Sequence, residues 1–322
     1  MNEKISGGIT SIDSIYLRTK ELQYLHKAET LLFTLSGNRL FRFTTFGSTS
    51  RILHFDLLNR FSRLSNVLIH IPEYYCVELL HQLNEGNFKQ NLKAKNYQLN
   101  ILNQNIKLMP SVEVVMQLKK HFSLVTQTTA HINYNSDKFL SKYNIPFHFF
   151  SARIDISQYT FVPFENKENL ILFSPDDKEK NEKIINLLKP IFNQFHFKVI
   201  ENVTYSEYKR LIGKAKFCFT FGEGLDGYFV EPFFSGTISF AIYNEQFFSP
   251  EYSTLPTVIK SEELLFSEIV ATIKLLDNKT AYNEVVNSTN KLLTKEYNYN
   301  DYVKNIKSYY EQYFISQPKA VV

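Results

Sequence analysis

The sequence predicts an α/β protein made of two doubly wound, parallel-sheet domains, and three observations carry that expectation. At 322 residues the chain has room for two hydrophobic cores. Its second half alternates short apolar runs with amphipathic segments, the pattern of βαβ units. Hydrophobic residues make up 44% and charged residues 21%, which excludes a disordered or fibrous chain.

The second half reads most clearly. An apolar strand at 170–174 meets a Pro175-Asp-Asp177 turn that ends in a helix N-cap. Ile184, Ile185, Leu187, Leu188 and Ile191 then mark one helical face. A strand at 197–200 follows. Thr204 and Glu207 have capping-box spacing and open a helix through Tyr208, Leu211 and Ile212. Next come a buried-type strand at 217–221, a helix at 228–235 and a strand at 237–243. Ser261 caps a helix reaching about residue 276, and helices at about 279–294 and 301–314 finish the order.

The first half repeats the theme less cleanly. Candidate strands fall at 30–35, 67–71, 99–103, 123–127 and 146–150, with helical segments near 10–24, 51–63, 74–83, 111–120 and 136–143. The polar stretch 157–169 reads as a linker. The expected domains are therefore 1–156 and 157–300, with 301–322 a C-terminal helix that packs back on the first domain.

Charge divides unevenly between the halves. Residues 1–150 carry 17 basic and 10 acidic side chains, a net +7, and the remainder a net −3. A basic first half suits anionic lipid headgroups or a phosphorylated acceptor, or is an ordinary solvated lysine surface. Nucleic-acid binders show denser, Arg-rich runs, so no nucleic acid is expected. No stretch is long and apolar enough to span a bilayer, and Met1 to Thr10 do not form a secretory leader, so the expected location is the cytoplasm. Cys76 and Cys218 each sit in apolar runs and read as buried thiols.

One segment carries chemistry: Phe217-Cys-Phe-Thr-Phe-Gly-Glu-Gly-Leu-Asp-Gly-Tyr-Phe-Val-Glu-Pro-Phe-Phe-Ser-Gly236. A strand runs into a loop holding Gly222, Gly224 and Gly227, and a helix follows at once. Ligands of open parallel sheets bind beyond the strands' carboxyl ends, where glycines admit close approach and helix N–H groups attract phosphate. Glu223 lies in the loop and Glu231 eight residues on. A carboxylate beside a diphosphate is better explained by neutral hydroxyl donors nearby, such as those of a sugar. Glu231, one turn into the helix, could accept two hydrogen bonds from a ribose diol, or the two glutamates could lie on a solvated face.

This pattern resembles the donor site of retaining GT-B glycosyltransferases, whose two Rossmann-like domains face a cleft. Glu223, Gly224, Leu225, Glu231, Gly236 and the following strand fall into that family's places, and the agreement covers about 45 residues. The resemblance implies that Glu223 is the catalytic-site carboxylate bonding the donor sugar and that Glu231 bonds the ribose. The backbone of Gly224, Leu225, Asp226, Gly227 and Tyr228 would carry the diphosphate, with Gly222 also in the donor site, Asn202 near the base and Ser174 at the first strand end. It implies a UDP- or GDP-sugar co-substrate, a glycan or lipid-linked acceptor, no cofactor and no catalytic metal.

Departures from the family pattern stand beside these agreements. The first strand of the second domain lacks the family's Gly-Arg, so Lys178, Lys180, Lys183 or Arg153 must neutralise the diphosphate. Gly7 and Gly8 resemble a glycine loop between donor and acceptor, without its preceding strand. Where relatives carry a histidine the chain has Asn103-Gln-Asn105, leaving Asn105, His70 and His131 as cleft residues or as half-buried side chains. The implied role is sugar transfer in bacterial surface-polysaccharide assembly (capsule, exopolysaccharide or O-antigen) at the inner face of the plasma membrane. Two alternatives stay open: a catalytically silent partner of another transferase, and a sugar-nucleotide epimerase on the same fold.

Overall fold

The computed structural model describes residues 7–35, 51–61, 64–86, 88, 90, 92–131, 141–151, 154–312 and 314. Arg153 lies outside these, as does most of the candidate helix at 136–143. The chain divides into two compact units, one of residues 1–153 with 299–322 and the other of 154–298.

In the first unit, helix α1 (Gly7–Leu22) precedes two short strands, β1 (Leu32–Phe33) and β2 (Ile52–Leu53), paired in parallel. Strands β3 (Leu64–Pro72), β4 (Ala94–Asn103), β5 (Leu124–Thr129) and β6 (Phe147–Phe149) form a parallel sheet in that order. Helices α2 (Cys76–Asn84) and α3 (Val112–Leu118) contribute to a core that includes Cys76, Leu79, Leu99, Ile101, Val115, Leu118 and Val125. Burial of these side chains is the main stabilising term. The segment expected as a helix at 51–63 is instead β2 followed by a 3-10 turn, Phe55–Arg60, whose first N–H groups are capped by His54 Nδ1 accepting from Asp56 N at 3.3 Å. Its apolar residues at 52, 53, 57 and 58 mimic a helical stripe, but pairing with β1 takes the first two. Gly7 and Gly8 open α1 and do not form a free loop.

The second unit is built on β7 (Glu168–Phe173), β8 (His196–Val199), β9 (Ala215–Phe219), β10 (Ile238–Ile242) and β11 (Val258–Ile259), all parallel. Their spatial order is β11-β10-β9-β7-β8. The chain thus winds one way from β7 to β8 and the other way from β9 onward, so the topological switch lies between β7 and β9. Connecting helices are α4 (Lys178–Leu188), α5 (Tyr205–Lys214) and α6 (Gly227–Phe234), and α7 (Glu262–Leu276) and α8 (Lys279–Glu296) close the unit. The expected caps are present: Asp177 accepts from Lys180 N, Thr204 from Glu207 N and Ser261 from Leu264 N.

Phe173, Phe219 and Phe240 are register partners on three neighbouring strands, fully buried and stacked at 5.1 and 4.9 Å between centroids. This aromatic ladder fixes the carboxyl edge of the sheet, because slipping any strand by one residue would turn its ring to the other face. Lys167 anchors the segment that enters the sheet. Its buried ammonium donates to Gly213 O at 2.9 Å, Ser235 O at 2.8 Å and Thr237 Oγ1 at 2.7 Å, tying together the ends of α5 and α6. Both cysteines are buried and free, as their apolar contexts predict.

The last helix, α9 (Tyr299–Tyr310), belongs to the first unit. Tyr302, Ile306 and Tyr309 pack with Ile15, Leu22, Leu102 and Phe150. A polar network runs beneath them. Asn100 Nδ2 lies 3.0 Å from His70 Nδ1, and its carbonyl accepts from Thr126 at 2.9 Å, so His70 Nδ1 must be the acceptor. The proton then sits on Nε2, 3.1 Å from Tyr310 OH. His70 is therefore within β3, locked to the sheet and to α9.

Candidate functional site

Around the switch between β7 and β9, the carboxyl edge of the second unit's sheet carries Ser174 and the loop from Gly222 to Tyr228. Ser174, first after β7, donates its N–H to Phe219 O at 2.8 Å, and its fully buried hydroxyl has no hydrogen-bond partner. Across the switch, Thr220 Oγ1 lies 3.1 Å from Asp226 Oδ2 and 3.5 Å from Asp176 Oδ2. Gly222 passes over these acids so closely that a Cβ there would meet Asp226 Oδ2 at 3.0 Å and Asp176 Oδ2 at 3.2 Å. Gly224 takes φ +95°, and a Cβ on it would lie 2.5 Å from the Phe248 ring. Only glycine fits that turn.

Helix α6 starts from this loop. Asp226 is its N-cap, accepting from Phe229 N at 3.1 Å. Burial, with Asp176 next, pushes the Asp226 carboxyl up to about 7. Pro232 inside α6 lacks an N–H, which frees the Tyr228 carbonyl. Ser239 Oγ at 3.0 Å and Cys218 Sγ at 3.8 Å take it up, so the helix holds its place against β9 and β10. Leu225 is buried beneath the loop, and Tyr228 meets Tyr208 edge-on at 5.5 Å.

Glu231, one turn into α6, faces two tyrosines. Tyr205 OH donates to its Oε2 at 3.3 Å, and Tyr159 OH lies 2.6 Å from Tyr205 OH. Burial is the largest influence on Glu231 and raises its carboxyl to about 7, opposed by the hydrogen bonds from both tyrosines. Tyr205 is 44% exposed, so the arrangement opens to solvent along one ring.

A cavity of about 460 Å³ lies beside the loop, lined by Lys180, Phe221, Gly222, Ile242, Tyr243, Asn244 and Glu245. Neither Glu223 nor Glu231 lines it. Its one lysine, Lys180, also reaches Asp177 at 3.1 Å and Glu262 at 3.4 Å. Lys178 turns away, exposed and 3.9 Å from Glu201, and Lys183 pairs with Glu179 at 2.6 Å. Asn202 occupies a left-handed turn after β8, at φ 54°. Among the described residues no group of three or more His, Cys, Asp or Glu is arranged to hold a metal ion.

In the first unit, Asn105 caps a short 3-10 turn, its side chain accepting from Lys107 N, and its own N–H donates to Glu73 Oε1 at 3.0 Å. His131 is buried just beyond β5. Burial lowers both His70 and His131 to about 4, so both are neutral at physiological pH. Gly8 O accepts from the Gln104 side chain at 3.2 Å. Sequence reasoning missed Tyr159, Tyr205 and Asp176. Tyr205 was discoverable from its place at the start of a capped helix beside the loop after β8, whereas Tyr159 sits in the stretch read as a linker.

No protein-family model matches the sequence, and no curated protein matches it significantly. Solved structures do resemble the chain. The lipopolysaccharide outer core galactosyltransferase WaaB, in its apo form, aligns over 97% of both chains with a TM-score of 0.54 at 8% identity. A TarM variant from S. aureus, in complex with fondaparinux, α-GlcNAc-glycerol and UDP, aligns over 75% of this chain at a TM-score of 0.47 and 12% identity. This chain spans 58% of the length of that structure. A putative UDP-N-acetylglucosamine 2-epimerase from Listeria monocytogenes aligns over 97% of this chain and 95% of its own at 0.48 and 11%. The fold is α/β of the GT-B class. At such identities the likeness speaks for fold alone.

Proposed function

We propose that the protein is a glycosyltransferase that moves a sugar from a UDP- or GDP-sugar to a glycan or lipid-linked glycan acceptor, with retention. The observation that carries this reading is the glycine loop at the switch between β7 and β9, which leads directly into the N-terminus of α6 beside a cavity containing Lys180. The loop's backbone and the first N–H groups of α6 suit a diphosphate, with Lys180 supplying the positive charge. Glu231 and its tyrosines would receive the ribose hydroxyls, and Glu223 those of the sugar. The bond from the anomeric carbon to the diphosphate breaks, the acceptor oxygen bonds to that carbon on the same face, and the acceptor proton passes to the departing phosphate. Catalysis then consists of positioning and charge stabilisation.

The net +7 of residues 1–150 supports work at an anionic inner leaflet in surface-polysaccharide assembly. A second reading, a catalytically silent partner, draws on Asp226 and Asp176: the Asp226 carboxylate takes an N–H that a diphosphate would use. A thermal-shift series with UDP, GDP and their sugars decides between them, since a ligand at a hundredfold excess over its Kd stabilises by about 2.7 kcal/mol. Upward shifts are expected. No shift with any nucleotide favours the silent partner. Glu223→Gln should then lower kcat far more than it raises KM, the mark of an interaction stronger in the transition state. Unchanged kcat would remove Glu223 from the mechanism.

A further inference from the structure

A second cavity, of about 330 Å³, lies in the second unit between α5 and residues 158–166, and it shares no lining residue with the cavity beside the glycine loop. Lys209, Arg210, Gly213 and Lys214 form its α5 wall. At about 100° per residue these four fall within a sector of about 140°, so one helix face turns three cations toward the same space. Among the described lining residues there is no aspartate or glutamate. Gly213 supplies room: a Cβ on it would meet only Val162 Cγ2, at 3.8 Å, so a longer side chain would extend into the cavity. Gln158 and Asn166 on the facing wall are exposed, and a solute reaches the space from there.

The cations keep donors in reserve. Arg210 gives Nε and Nη2 to Glu207 at 2.8 and 2.6 Å, which leaves Nη1. Lys214 makes one bond, to Glu168 Oε1 at 2.5 Å, out of the three that an ammonium can donate. The Lys209 ammonium lies over the Tyr205 ring at 4.9 Å and makes no ion pair among the described residues. Helix C-termini repel anions, and both α5 and α6 end at this cavity. Lys167 offsets that repulsion, because its buried ammonium holds the carbonyls of Gly213 and Ser235, two of the lining residues. On the facing wall Gln158 is steadied by donating to Asp155 Oδ2 at 3.2 Å.

We infer that this cavity binds a small organic phosphate, with the phosphoryl group against Lys209, Arg210 and Lys214 and the organic hydroxyls against the amides of Gln158 and Asn166. Ionised phosphate oxygens accept hydrogen bonds, which matches a wall of charged donors, and a side-chain amide both donates and accepts, which matches hydroxyls. A neutral sugar would leave the cations unmatched. A phospholipid headgroup offers the same phosphoryl group as a soluble metabolite, and vesicles separate the two sources. The site is independent of the transferase reading.

Isothermal calorimetry on the full-length protein with glucose 6-phosphate, glycerol 3-phosphate and, as a control, glucose tests it. At least one phosphate should bind, and glucose should not. Lys209→Ala and Arg210→Ala should each weaken that binding about tenfold, and Gly213→Leu should abolish it without changing any charge. If Gly213→Leu loses wild-type circular dichroism, the two charge variants carry the test. Sedimentation with phosphatidic acid vesicles that is lost in Lys209→Ala, with no heat from the soluble phosphates, would assign the phosphoryl group to a lipid. Equal binding by wild type and all variants overturns the site, as does the absence of binding by both soluble phosphates and vesicles. Displacement of the bound phosphate by UDP also overturns it, by placing that phosphate in the donor site.

Discussion

Replacing Glu231 with Gln should flatten the pH dependence of stability between about 4.5 and 7. The carboxyl starts from 4.5 and is raised to about 7, chiefly by burial. A raised carboxyl pKa means that the folded chain holds the proton more tightly than the unfolded chain does. Its contribution is therefore whole below about 4.5 and is lost as pH climbs through about 7. At ~1.4 kcal/mol per unit the ceiling is about 3 kcal/mol, and partial exposure to water brings the expected effect to about 1–2 kcal/mol. His70 and His131, lowered to about 4 by burial, act with the opposite sign, adding stability as pH rises from about 4 toward 6.5. Asp226, raised to about 7, adds to the Glu231 effect. The decisive quantity is accordingly the difference between wild type and variant. Urea unfolding followed by far-UV circular dichroism at pH 4.5, 5.5, 6.5 and 7.5 supplies it. A difference that stays constant across those four values would refute the burial argument.

Lys180→Ala should weaken UDP or GDP binding about tenfold by calorimetry, and Lys178→Ala less than twofold, because only Lys180 lines the cavity. Gly224→Ala should destabilise the protein by about 2–4 kcal/mol in chemical denaturation, combining a positive φ with a Cβ 2.5 Å from the Phe248 ring. Lys167→Met should cost about 2–4 kcal/mol by the same measurement, since the two carbonyls and one hydroxyl that it satisfies lie in the interior.

The second unit was largely legible because its signals are local. Continuous apolar runs such as Phe217 to Phe219 belong to strands buried on both faces, and Asp177, Thr204 and Ser261 announce helix starts by their own side-chain chemistry. The glycine loop was legible for the same reason: φ +95° at Gly224 is a demand on one residue. What escaped depends on distance along the chain. Tyr159 and Tyr205 are 46 residues apart, and no local pattern announces that their hydroxyls meet beside Glu231. Lys167 looks like any solvated lysine until the ends of two helices converge on it. Residues 52 and 53 fit a helical stripe equally well, and their pairing with a strand 20 residues earlier decides against it.

The place of α9 bears on how the chain acquires its structure. The first unit draws on both ends of the polypeptide, while residues 154–298 form the other unit without interruption. During synthesis that uninterrupted stretch has all its strands and helices before Tyr302, Ile306 and Tyr309 leave the ribosome, whereas the sheet face carrying Leu102 and Asn100 must wait for them. Until then an apolar strip with a buried-type histidine stays uncovered. Its exposure to aggregation and to chaperones is set by the time taken to translate the final helix.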